Sequence, residues 1–287
     1  MTATTPASHY VTLGGREVHY LEWGTRGKPP LIMWHGVARH ARDFDDIAAA
    51  MAPERHIIVP DTIGRGFSEW SPAPENEYTI AFYVQQAREL LDALQFDRVD
   101  WLGTSMGGLV AIEAEATLLK GRIRRLVLND IGPVVSQAAL ERIRSYAAAA
   151  PARFSRMTEL EGYFRTIYAP FGIHDDAEWR RLTETSMRRL PDGGVSPHYD
   201  PAIKVHFDAL AGPELIARQW EIWAGLGCDM LCLRGATSDL LLVEDTERMV
   251  RDNPRCKVVT IPGCGHAPAL NTPDQIKLVA DFLNARS

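Results

Sequence analysis

Short apolar runs alternate with stretches of helical periodicity through the first 133 residues. Tyr10 to Trp23 reads as two alternating strands flanking Gly14-Gly15, a favoured two-residue hairpin turn. Leu31–Trp34, His56–Pro60, Val99–Leu102 and Ile123–Asn129 are short apolar runs of buried-strand character. Between them, an Ala-rich helix is expected over Phe44–Met51, a second over Ile80–Leu94 and a third over Leu109–Ala114. The alternation then stops. From Val134 to Trp223 the chain reads as helices and loops without a convincing strand, with helices expected over Ala138–Ala150, Glu159–Tyr168, Ala177–Arg189 and Pro213–Trp223. This stretch is rich in aromatic and Met residues, Met157, Tyr163, Phe164, Tyr168, Phe171, Trp179, Met187, Tyr199, Phe207, Trp220 and Trp223 among them. They suit a small helical layer with a pocket beneath it. Strands resume at Asp229–Arg234 and Lys257–Ile261, each followed by a helix: Glu244–Arg251, and a closing helix Asp274–Ala285 with Thr272 as N-cap and Pro273 at its first position.

The strand Val99–Leu102 runs into Gly103-x-Ser105-x-Gly107 and then a helix, the nucleophile-elbow pattern. Such a pattern arises by chance in about one chain in ten at ordinary Gly usage of roughly 7%, so its flanks carry the specificity. Gly103 and Gly107, without Cβ, let strand and helix approach closely. Ser105 is expected in a strained conformation above a helix N-terminus, which favours a developing anion. In an open parallel sheet, functional groups gather beyond the carboxyl ends of the strands. His35-Gly36-Val37, Ser105, Asp239 and His266 each follow a separate predicted strand.

These are the parts acyl transfer needs. A seryl hydroxyl requires a base, and an imidazole titrating near neutrality supplies one in His266. A buried carboxylate, Asp239, would hold the imidazole tautomer, and the backbone N–H groups of Val37 and Met106 would form an oxyanion hole. Asp130, also at a strand end, competes with Asp239 for the acid role. Asp239 is preferred because Arg-Gly-x-x-Ser-Asp after a late strand is the commoner pattern. Asp61 is expected to hold its own loop, Arg65 to anchor a loop, and Arg39 and His40 to be solvated loop residues beside the oxyanion loop.

With these motifs in place the chain resembles the α/β-hydrolase fold family, whose order of triad residues is that of Ser105, Asp239 and His266. His35-Gly36 resembles its oxyanion loop, and Asp61-x-x-Gly64-x-Gly66-x-Ser68 its turn after the preceding strand. The resemblance implies an α/β architecture: an eight-stranded, mostly parallel sheet with an antiparallel edge, flanked by helices. It divides the chain into a core of residues 1–133 and 224–287 and an inserted helical cap of residues 134–223.

Serine at the elbow argues against dehalogenases and epoxide hydrolases of this fold, which use Asp there. The expected activity is hydrolysis of small or medium carboxylic esters through an acyl-serine. The alternatives are C–C bond hydrolysis of vinylogous diketo acids, perhydrolysis, and a low-turnover ligand receptor. Of the cap arginines (Arg153, Arg156, Arg165, Arg180, Arg181, Arg188 and Arg189), one facing inward could pair with a substrate carboxylate, although solvated helix faces account for most.

Composition narrows the remaining classes. A net charge of −6 with no basic stripe argues against nucleic acid as a partner. No apolar run is long enough to span a bilayer, and Met1–His9 lacks the layout of a signal peptide, so a cytoplasmic location is expected. Cys228, Cys232, Cys256 and Cys264 are expected to be structural thiols; Cys228 and Cys232 find no further ligands nearby to complete a metal site. No metal or organic cofactor is implied, and the partner expected is a small-molecule substrate.

Overall fold

The computed structural model describes residues 5–149, 151–210 and 213–285. The expected ends of the chain at Met1–Thr4, of one helix at Ala150 and the side chain of Phe207 lie outside the described residues. Among the described residues, ten strands form in chain order: β1 Ala7–Leu13, β2 Arg16–Gly24, β3 Pro30–Trp34, β4 His56–Pro60, β5 Val99–Thr104, β6 Ile123–Asn129, β7 Met187–Arg189, β8 Val195–Pro197, β9 Asp229–Gly235 and β10 Cys256–Ile261. Eight of them make one sheet in the order β1-β2-β4-β3-β5-β6-β9-β10. β2 pairs antiparallel with β1 and β4, and the remaining pairs are parallel. The hairpin turns at Gly14-Gly15, both at positive φ, as a two-residue turn between right-twisted strands requires.

Alternate residues on each central strand point to opposite faces, and both faces are covered. Ile32, Trp34, Trp101, Leu126, Leu128 and Met230 pack on one face against the helices Ile80–Ala93, Met106–Ala116 and Val243–Asp252. Leu31, Met33, Leu102, Val127, Leu231 and Leu233 pack on the other, against Asp45–Met51 and Pro273–Asn284. This explains why these strands read as continuous apolar runs. Burying each such side chain contributes roughly 1.5–3 kcal/mol. The closing helix starts as its sequence predicts: the Thr272 hydroxyl accepts from the Gln275 N–H, with Pro273 in the first turn.

Between β6 and β9 the chain leaves the sheet. Helices Gln137–Ala149, Met157–Ile167, Asp176–Thr185 and Pro213–Gly225 fall near the expected ranges. The third is shorter than Ala177–Arg189, because its last residues become β7, half of a small antiparallel hairpin with β8 that the periodicity did not reveal. Three-residue strands carry too little alternation to be seen in sequence. Phe154, Leu160, Phe164, Tyr168, Trp179 and Val195 give this insertion its own apolar cluster. It is tied to the sheet loops by backbone bonds from Asp200 N–H to Gly64 C=O (2.7 Å) and from Gly66 N–H to His198 C=O (3.0 Å). The Tyr78 hydroxyl also donates to the Asp200 carboxylate (2.7 Å).

Candidate active site

The elbow is shaped by steric exclusion. A Cβ on Gly103 would stand 2.4 Å from the Gly107 carbonyl, and one on Gly107 would stand 2.0 Å from the Trp34 carbonyl oxygen. No side chain fits either gap, so β5 can turn directly into the helix Met106–Ala116. Ser105 sits at that turn with φ 50° and ψ −116°, a costly conformation for a non-glycine residue.

Register then sets the neighbours. Thr104 on β5 is opposite Asn129 on β6, and Asn129 is opposite Leu233 on β9. The next residues of two adjacent strands, Ser105 and Asp130, therefore emerge side by side, with Ser105 N–H bonded to Asn129 C=O (3.1 Å). The loop after β10 brings His266 between them. Its Nε2 lies 3.0 Å from Ser105 Oγ and its Nδ1 lies 2.7 Å from Asp130 Oδ2. The Asp130 carboxylate is fully buried. It also accepts from Gly235 N–H (2.7 Å) and from the Ser238 hydroxyl (2.6 Å). A carboxylate on Nδ1 selects the tautomer with Nδ1–H donating and Nε2 free to accept the seryl proton.

This corrects the expectation for Asp239. Its neighbour Ser238 turns inward to Asp130, so Asp239 turns outward. It is half exposed and forms a two-pronged ion pair with Arg142 (2.7 and 2.8 Å), away from His266. The relay on the imidazole is Ser105–His266–Asp130.

The loop that follows β3, His35-Gly36-Val37, lies against the serine: a Cβ on Gly36 would be 3.7 Å from Ser105 Cβ. Its peptide planes are pinned from behind. Gly36 C=O accepts from His35 Nδ1 (2.7 Å) and Arg39 N–H (3.1 Å). Val37 C=O accepts from Arg65 Nε (2.7 Å). Arg65 is thus a loop anchor, as expected. Asp61 holds its loop by accepting from Phe67 N–H (3.0 Å), and it reaches further, to Ala41 N–H and His19 Nδ1 (both 2.7 Å). Met106 opens its helix, where the first N–H groups have no intrahelical acceptor.

Arg39 and His40 are not solvated. Only 5% and 4% of their surfaces are exposed, because the segment 168–186 of the insertion folds over them. Arg39 lies over the Tyr168 ring at 4.7 Å, and His40 Nε2 lies 3.1 Å from Ser186 Oγ. Burial pushes His35 and His40 down to about 4, with Asp61 and Asp43 only partly opposing it. Both rings are therefore neutral in the fold. His35 Nε2 accepts from Thr62 N–H (2.9 Å), a bond that ring protonation would destroy.

The unfolded chain binds these two protons from about pH 6.5 downward, and the fold resists them to about pH 4. Stability should thus be flat above pH 6.5 and fall on acidification, at roughly 1.4 kcal/mol per pH unit for each ring. Asp45, raised to about 6 by burial, acts in the opposite direction below pH 6 and offsets about one ring. Urea unfolding at pH 7, 5.5 and 4.5 should show a smaller loss of stability on acidification in His40→Asn than in the native protein; an equal loss in both would mean that this ring is protonated in the fold.

Ser105 and His266 open into a cavity of about 250 Å³ with walls from both layers. Leu109 and Ile131 come from the core, and Leu140, Tyr163, Tyr168, Phe171 and Tyr199 from the insertion. Of the insertion's arginines, Arg142 and Arg188 line this cavity. Arg165 and Arg180 pair with Glu161, Arg181 with Asp46 and Arg153 with Asp192. The four cysteines are free and buried, with Cys228 and Cys256 pushed up to about 12 and Cys264 to about 11 by burial. Among the described residues, no group of three or more His, Cys, Asp or Glu is placed to hold a metal ion. No helix among them is long and apolar enough to cross a membrane.

The sequence profile of the alpha/beta hydrolase family matches residues 31–277. The chain belongs to that family. The hydrolase is 38% identical over 280 residues to the 3-hydroxybutyrate-oligomer hydrolase of Cupriavidus necator, covering 94% of this chain and 93% of that one. It is 31% identical to the 2-hydroxy-6-oxo-2,4-heptadienoate hydrolase of Pseudomonas putida, covering 96% and 95%. Among solved structures, an alpha/beta hydrolase from Novosphingobium aromaticivorans superposes with a TM-score of 0.86 at 30% identity, over 99% of each chain.

Proposed function

We propose that this hydrolase cleaves carboxylic esters through an acyl-Ser105 intermediate. The observation that carries the reading is the unbroken relay from Ser105 Oγ through His266 to the buried Asp130, opening on a largely apolar cavity. In the mechanism, His266 Nε2 takes the seryl proton as Oγ attacks the ester carbonyl. The oxyanion is received by Val37 and Met106 N–H. Collapse expels the alcohol, which takes the proton back from Nε2. Water then repeats the sequence on the acyl-enzyme. Asp130 holds the ring through Nδ1 and stabilises the imidazolium that forms. Residues 134–223 act as a cap that excludes bulk water and sizes the acyl pocket.

The 3-hydroxybutyrate-oligomer hydrolase supports an ester substrate built from short hydroxy-acyl units. The heptadienoate hydrolase supports a second reading, C–C cleavage of a vinylogous diketo acid on the same groups. A p-nitrophenyl ester panel from acetate to decanoate separates them. Turnover favouring short chains, with a fluorophosphonate labelling Ser105, is the expected result. Labelling without ester turnover, together with cleavage of a dienol diketo acid, would establish the second reading instead.

A further inference from the structure

The net charge of the chain is −6, yet the charged residues on the walls of its main cavity are Arg39, Arg142, Arg188 and Lys204, with no carboxylate among the described residues there. Arg142 is neutralised by Asp239. Among the described residues, Arg188 has the Ser196 hydroxyl and the Trp70 ring but no acid partner, and Lys204 has no acid partner either. Arg39 differs from these three in being nearly fully buried and held rigid.

Its Nε and Nη2 grip Asp43 at 2.9 and 2.5 Å. Its plane lies over Tyr168 (4.7 Å) and, at 6.0 Å, over Phe171. The third nitrogen, Nη1, is buried and makes no hydrogen bond of good geometry among the described residues, although the Tyr168 hydroxyl lies near enough to couple to the guanidinium. A buried cationic donor left unused is costly. The side chain also stands beside the nucleophile: the position a Gly36 Cβ would take is 3.8 Å from Arg39 Cγ and 3.7 Å from Ser105 Cβ. Arg39 forms part of the wall between the main cavity and a smaller one of about 80 Å³, lining both.

We propose that Arg39 is a substrate subsite that receives, on Nη1, the free carboxylate of a hydroxy-acid ester whose scissile carbonyl lies at Ser105. Asp43 holds the guanidinium in place rather than competing for Nη1, since it occupies the opposite edge. Arg188 and Lys204 give the cavity the net positive charge that the Arg39–Asp43 pair lacks. The assignment rests on the ester-hydrolase reading for its substrate, but not for its binding site.

The test compares two substrates with the same scissile bond: the linear dimer of 3-hydroxybutyrate as its free acid, and the same dimer capped as the terminal methylamide. The native enzyme should prefer the free acid. Arg39→Met should lower kcat/KM for the free acid about 10- to 100-fold more than for the capped dimer, mostly through KM. Arg39→Lys keeps a cation for Asp43 and hence the fold, but lacks the second amino group; it should lose the same preference. Equal losses on both dimers in Arg39→Lys would overturn the proposal and leave Arg39 as a brace for the oxyanion loop. Should neither dimer be cleaved, the ester reading fails by itself. Binding of 3-hydroxybutyrate to Ser105→Ala protein, by calorimetry, then decides the subsite: weaker binding on adding Arg39→Lys supports it, and unchanged binding overturns it.

Discussion

Asp130→Asn is expected to lower kcat on a cleavable ester by about 10⁴-fold, while Asp239→Asn stays within about twofold of the native enzyme. The first figure follows from tautomer control: with an amide in place of the carboxylate, the imidazole loses the acceptor that keeps its proton on Nδ1, and the imidazolium loses its counter-charge. Asp130 is also the acceptor for Gly235 N–H and the Ser238 hydroxyl. An asparagine of the same shape can keep its oxygen toward one of these, so the fold should survive and a melting curve should confirm it. Asp239 contributes an exposed ion pair with Arg142, worth roughly 0–1 kcal/mol. A rate lost in Asp239→Asn and kept in Asp130→Asn would reverse the assignment.

Ser105→Ala and His266→Ala should each reduce kcat by about 10⁶-fold, and the double variant should be no slower than either single one. Nucleophile and base act as a unit: the seryl oxygen 3.0 Å from Nε2 is useless without the ring, and the ring without the oxygen has only water to activate. On the proposed mechanism, what should remain in all three is the rate supplied by the pocket and the N–H groups of Val37 and Met106 acting on water. Steady-state rates with a sensitive fluorogenic ester, at enzyme concentrations high enough to see slow turnover, measure this directly. Additive losses in the double variant would mean that the two residues act on separate steps.

Much of this protein was legible in its sequence wherever the deciding interactions are local. The hairpin at Gly14-Gly15 needs two residues that tolerate positive φ, and the chain offers two glycines. The start of the last helix depends on Thr272 and Pro273 and on an N–H three residues on. The elbow depends on two missing side chains within two residues of Ser105. Continuous apolar runs announced strands buried on both faces. Ser105 and His266 could be expected to meet because each follows a strand of that sheet at its carboxyl end, and they lie 3.0 Å apart.

The tertiary structure decided what depends on residues far apart in the chain. Asp130 and Asp239 both follow strands, and sequence favoured the second. The register of β5 on β6 places Asp130 beside Ser105, and Ser238 turning inward sends Asp239 to the surface. Arg39 and His40 read as solvated because polar residues in a loop usually are. They are buried by Tyr168 and Ser186, about 130 and 146 residues further along the chain. The identity of a strand or a tight turn is set by backbone sterics that each short segment carries with it. Which carboxylate reaches an imidazole, and which arginine is sealed into a cavity wall, is set by strand register and by the packing of one layer on another, and neither is encoded in any one segment.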